Sequence, residues 1–131
     1  MGTKAAIKFT DDHGAQAIVY TQYDGDPRGI QQKLQAAITS GLVWPLPRFE
    51  ADEFAAGFIA ANKKYSGGIR MLSTMSDLWC DFMYIVNLNG NLGEVIIGHH
   101  NGYDELDRPE YVFGWSGRLS TMHTAYAEDA A

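Results

Sequence analysis

The sequence predicts an α+β two-layer sandwich, with an antiparallel sheet of about five strands covered on one face by two helices. Three observations lead there. Two short β-like segments open the chain, two segments with apolar residues at helical spacing follow, and three more β-like segments come after those. This β-β-α-α-β-β-β order segregates helices from strands, which favours helices gathered on one face of an antiparallel sheet. The 131 residues suit one domain, and 46% hydrophobic with 20% charged residues is an ordinary globular balance.

AAIKFT, residues 5–10, places Ile7 and Phe9 on one face of a strand. AQAIVYTQY, residues 15–23, is rich in β-branched and aromatic residues, and the DDHG cluster between the two makes them a hairpin. In DGDPRGIQQKLQAAITSG, Asp26 suits an N-cap and Pro27 a first helical residue. Ile30, Leu34, Ala37 and Ile38 then form one apolar stripe and Gly41 is a C′ stop, which gives a helix over 27–40. LVWPLPRFE carries two prolines and reads as a loop, with Trp44 expected as a lid over the core. A second helix over 51–64 buries Phe54, Phe58, Ile59 and Ala61. Its acids Asp52 and Glu53 sit at the positive end of the dipole, and Lys63 and Lys64 at the negative end.

Strands over 69–75, 78–88 and 93–99, joined by short turns, read as an antiparallel meander. The segment 78–88 is apolar on both faces and belongs at the centre of the sheet. Beyond it, HNGYDELDRPE is turn-rich and acidic, and YVFGWSGRL is an edge strand or a docked loop. The domain is expected to span 1–118, with 119–131, ending in AYAEDAA, a flexible C-terminal tail.

The formal net charge of −6 argues against direct nucleic-acid binding, which draws its affinity from neutralising phosphates. An acidic surface around 50–53 and 104–110 suits a partner with a basic one. The single cysteine, Cys80, precludes an intramolecular disulfide and sits among Leu78, Trp79 and Phe82 as a buried core residue. With no apolar run of membrane-spanning length and no signal-peptide pattern in MGTKAAIKF, the expectation is a cytoplasmic protein without membrane contact.

The stretch IVYTQYDGDPRG resembles a signature, VYRHWDGYPxG, of small uncharacterised phage and prophage proteins. There a strand ends in aromatics, followed by Asp-Gly, Pro and a helix. The match runs through Val19, Tyr20, Tyr23 in the tryptophan position, Asp24, Gly25, Pro27 and Gly29. DEFAAGFIAANKKYSGG and DFMYIVNLNG extend the likeness over roughly residues 17–97. The family's Arg-His pair is Thr21-Gln22 here, and its second aromatic is Asp26. The resemblance implies a phage-type accessory protein, present in the host cytoplasm. Such a protein would inhibit or sequester a host, defence-related protein or a small signal molecule, with no reaction implied.

Read from the residues, the Asp-Gly-Asp-Pro corner has structural roles throughout, with Asp24 as an Asx-type cap and Gly25 supplying positive φ. A helix N-terminus also attracts anions, and Arg28 with Tyr20 and Tyr23 can hold a nucleotide-like ligand. Trp44, Tyr103, Asp104 and Trp115 complete the candidate ligand or partner contacts. An alternative is a small hydrolase or metal-dependent enzyme using His99, His100 and Asp104, with His13 or His123 as further ligands. Adjacent strand residues point to opposite faces, which opposes joint chelation by His99 and His100. No catalytic residue, metal or cofactor is assigned. A virion or oligomerisation module is the third reading, and a homo-oligomer is compatible with the first.

Overall fold

A computed structural model describes residues 2–90 and 93–126. Strands β1 (Ala5–Thr10) and β2 (Gln16–Thr21) form the expected hairpin, with Ile7 opposite Val19 and Phe9 opposite Ala17. These side chains are buried on one face of the sheet, under helices α1 (Pro27–Thr39) and α2 (Ala51–Asn62). Helix α1 contributes Ile30, Leu34 and Ala37 from its stripe, and α2 contributes Phe54, Ala55 and Phe58. The Phe9 ring lies 5.4 Å from those of both Phe54 and Phe58. Burying each such ring contributes about 1.5–3 kcal/mol, so this triad anchors the helical layer.

Helix α2 is capped from a distance. Glu50 holds its N-cap position without a side-chain cap bond. Asp11, in the β1–β2 turn, accepts the Ala51 N–H at 2.9 Å through Oδ2 and the His13 and Ala15 N–H groups through Oδ1. These bonds, the Ala51 one first, hold the Asp11 carboxyl below its usual range. One carboxylate therefore closes a hairpin and docks a helix on it.

The remaining strands are β3 (Ile69–Leu72), β4 (Phe82–Asn87), β5 (Glu94–Tyr103) and β6 (Pro109–Gly117). The sheet order is β3-β2-β1-β4-β5-β6. The α+β sandwich stands, but the sheet is mixed and has six strands, because β4 runs parallel to β1. The meander fails at its first turn: β3 pairs with β2 and not with β4. A parallel neighbour requires a crossover. Residues 73–81 supply it across the sheet face away from the helices, where Met75, Leu78 and Cys80 pack on Ala6, Tyr20 and Leu72. The apolar residues expected to lengthen β4 are spent covering that second face. Strand β4 itself is central as expected, with Tyr84 and Val86 fully buried towards the helices.

Trp44 is not a lid: it is 37% exposed, with the Arg48 guanidinium 3.4 Å over its ring, and Val43 and Phe49 insert into the core instead. The segment 109–117 is the edge strand, paired with β5 through two irregularities in register. A flexible tail from residue 119 is also corrected. Leu119–Thr124 forms a 3₁₀ helix whose Met122 is fully buried, and Ala125 is buried beside it. Leu119 and Tyr126 pack partly buried against the same core. Residues 127–131 of the expected tail lie outside the described residues. Among the described residues no helix is long and apolar enough to cross a membrane.

Candidate functional site

The corner between β2 and α1 is fixed to the end of the sheet by two hydrogen bonds and is closely packed within itself. The Gly25 N–H donates to Thr3 O at 2.9 Å, and the buried Tyr84 hydroxyl donates to Gly25 O at 2.6 Å. Burial, and next the Asp26 carboxylate, push the Tyr84 hydroxyl up, so it stays a donor. A Cβ on Gly29 would lie 2.1 Å from Asp24 O. The corner differs from its expected form in one respect. Asp24, and not Gly25, takes the left-handed φ, at 56°. Gly25 is required for space, since a Cβ there would meet Thr3 O at 2.7 Å. Asp26 holds the N-cap position in extended backbone without a side-chain cap bond, and the Asp24 carboxylate lies 4.0 Å from the Lys33 ammonium.

This anchoring sets the start of α1 above the ends of β1 and β4, and a cavity of about 520 Å³ opens there. Asp26, Pro27 and Arg28 form one wall, Thr3, Asp81 and Phe82 the floor, and His99 and His100 of β5 another wall. The 3₁₀ helix and the residues after it close the cavity with His123, Ala125 and Tyr126. Pro27 has no N–H, so the first-turn N–H groups of Arg28 and Gly29, which have no intrahelical acceptor, mark the positive end of the helix dipole here.

The two adjacent histidines do diverge. His99 turns to the helical side, its ring 4.9 Å from that of Tyr126. His100 turns to the other side, among Trp79, Tyr103 and Tyr111 at 5.1, 5.0 and 5.7 Å. The cavity sits at the end of β1 and β4 and not over one face, so its lining includes both. His99 Nδ1 and His100 Nε2 are buried with no hydrogen-bond partner among the described residues. Leaving a buried polar atom unpaired costs about 1–3 kcal/mol. Asp81 accepts the Lys4 N–H at 2.8 Å through Oδ2. The site therefore sets Arg28 and the first-turn N–H groups beside the Asp26 carboxylate at the α1 wall, with Asp81 on the floor. Among the described residues no group of three or more His, Cys, Asp or Glu side chains is placed to hold a metal ion.

The residues singled out from the sequence are dispersed. Arg28 and His123 join His99 and His100 in the cavity, and His13 does not. Tyr20 is buried on the opposite sheet face beside Cys80, and that burial first, then Cys80, pushes its hydroxyl up. Tyr23 meets Tyr65 edge-on at 5.8 Å and shares a separate small depression with Asp24. Trp44 is in the α1–α2 loop, and Trp115 packs partly buried against the core. Tyr103 is 57% exposed behind His100. Asp104 is held in its own turn by the N–H groups of Leu106 and Arg108 and by Arg108 Nε at 2.8 Å, outside the cavity. The trio His99, His100 and Asp104 is thus corrected. The acids near the histidines are Asp26 and Asp81, and the third histidine is His123. The sequence marks His123 only as a further metal ligand within an expected tail, whereas the buried Met122 beside it docks it on the cavity wall.

Compared with protein-family profiles, characterised proteins and solved structures, the chain matches none.

Proposed function

We propose that the protein is a small phage-type accessory protein that acts by binding, and that its ligand is a small signal-type molecule held in the cavity at the start of α1. One observation carries this reading. The cavity, of a size usual for small-ligand sites, gathers Arg28, the first-turn N–H groups and three histidines at one place. That set favours a phosphate or carboxylate group. Asp26 and Asp81 suit hydrogen-bond donors elsewhere on the same ligand, so the chemistry fitted is nucleotide-like: an anionic group attached to a donor-bearing ring or sugar. The likeness of the IVYTQYDGDPRG corner to phage and prophage proteins supports a role in withdrawing such a molecule from a host, defence-related pathway. The exposed apolar loop of Leu42, Trp44 and Leu46 supports a host protein as a further partner.

Native mass spectrometry of the protein recovered from bacterial cells tests the reading. The expected spectrum shows a bound species of nucleotide size that Arg28→Ala loses. Ligand-free protein, with no thermal shift from nucleoside monophosphates, diphosphates or cyclic dinucleotides, contradicts it. A second reading, a small hydrolase, is favoured by histidines and aspartates sharing one cavity. It requires turnover of a bound nucleotide that His99→Ala abolishes.

A further inference from the structure

Gln31 is a polar residue of α1 that is only 8% exposed. Its amide nitrogen lies 2.8 Å from Leu119 O, 3.3 Å from Ser120 O and 2.9 Å from His123 Nδ1. Carbonyl oxygens only accept, so the two carbonyls decide which end of the amide faces the 3₁₀ helix. The amide oxygen in that place would meet two oxygens, and only the NH₂ end fits. Its two hydrogens go to the two shorter contacts, Leu119 O and His123 Nδ1. Nδ1 therefore accepts, and the neutral ring carries its proton on Nε2.

We propose that Gln31 is a positioning residue: it holds His123 as an Nε2–H donor on the cavity wall, so that this point of the cavity takes an anionic oxygen. This rests on the cavity being the binding site, and it sharpens the ligand class there. The contrast with His99 gives the assignment its content. His99 lines the same cavity with its Nδ1 unpaired among the described residues, whereas Gln31 holds Nδ1 of His123. His123 is then a set donor on the wall of the cavity that Arg28 also lines. Gln31 also ties the 3₁₀ helix to α1, so one side chain both seats the cavity wall and sets its hydrogen-bonding polarity.

Long-range proton–nitrogen NMR of the full-length ¹⁵N-labelled protein, at about pH 8 where free imidazole is neutral, reads the tautomer directly. The expected spectrum gives His123 a single form, with Nδ1 unprotonated and Nε2 protonated. A protonated Nδ1, or an averaged mixture in the folded wild type, overturns the assignment. Gln31→Met keeps the length and removes the donor. It is expected to lose the single-tautomer signature and to weaken binding of inorganic phosphate about fivefold. Amide shifts of Met122 and Ala125 report whether the 3₁₀ helix stays docked. An unchanged tautomer in docked Gln31→Met overturns the role of Gln31; if the helix undocks, the wild-type spectrum alone decides. The expected tautomer with no phosphate binding by the wild type upholds Gln31 and overturns the anionic ligand class.

Discussion

Asp11 and Gly29 are the residues at which single side-chain atoms, or their absence, decide the local structure. Gly29 has no room for a Cβ against Asp24 O, so Gly29→Ala is expected to cost about 3 kcal/mol in chemical denaturation, the upper range for overpacking. Asp11→Asn weakens a cap and a turn together, and a fall in Tm of about 5 °C is expected by calorimetry. The sign of its pH effect follows from the lowered carboxyl. The stability it contributes is present above the ordinary value of 3.8 and is lost as pH falls through the lower folded value. The acid limb of the stability curve is therefore expected to be shallower in Asp11→Asn than in the wild type. Cys80 is fully buried, and burial, followed by the Asp81 charge, pushes its thiol up to about 12. It is expected to resist a thiol reagent at about pH 8 in the native state and to react on unfolding. The burial of Cys80 was legible from its apolar neighbours. The distant cap was not, because Asp11 reads locally as a turn residue and its partner is 40 positions away.

At the scale of elements, both helices and the opening hairpin were legible, because each carries its own period and stop signals. Helix α1 begins and ends within one residue of its reading, at Pro27 and Thr39. The order of the strands was not legible. The sequence from Ile69 to Leu88 holds apolar residues enough for two paired strands, and nothing local says that Met75, Leu78 and Cys80 pack over the second face. Pairing is a choice between edges, and the crossover wins by covering Ala6 and Tyr20 while giving β4 two central neighbours. The 3₁₀ helix is hard to read for a related reason, since its few core contacts, chiefly Met122 with Leu119 partly buried, carry no period. Met122→Ala is therefore expected to cost about 3 kcal/mol, by cavity formation at a fully buried site. It is also expected to weaken ligand binding, because His123, Ala125 and Tyr126 line the cavity from that segment.

For the whole molecule, the β2–α1 corner, the ends of β1 and β4, the middle of β5 and the 3₁₀ helix meet at one place. The sequence marked the corner and the histidines separately. Their meeting depends on β4 lying beside β1, and that in turn depends on the crossover. Asp104 is close to the histidines along the chain, whereas Asp81 and Asp26 are the acids that share their cavity. The ligand proposed for this meeting point is a small anionic molecule at the start of α1. The most direct test is a heteronuclear NMR titration of the wild-type protein with adenosine monophosphate as the probe. Saturable shifts are expected at Arg28, Gly29, His99 and His123. Shifts gathered instead at Trp44 or Tyr23, or none at concentrations that saturate ordinary nucleotide sites, would contradict the account.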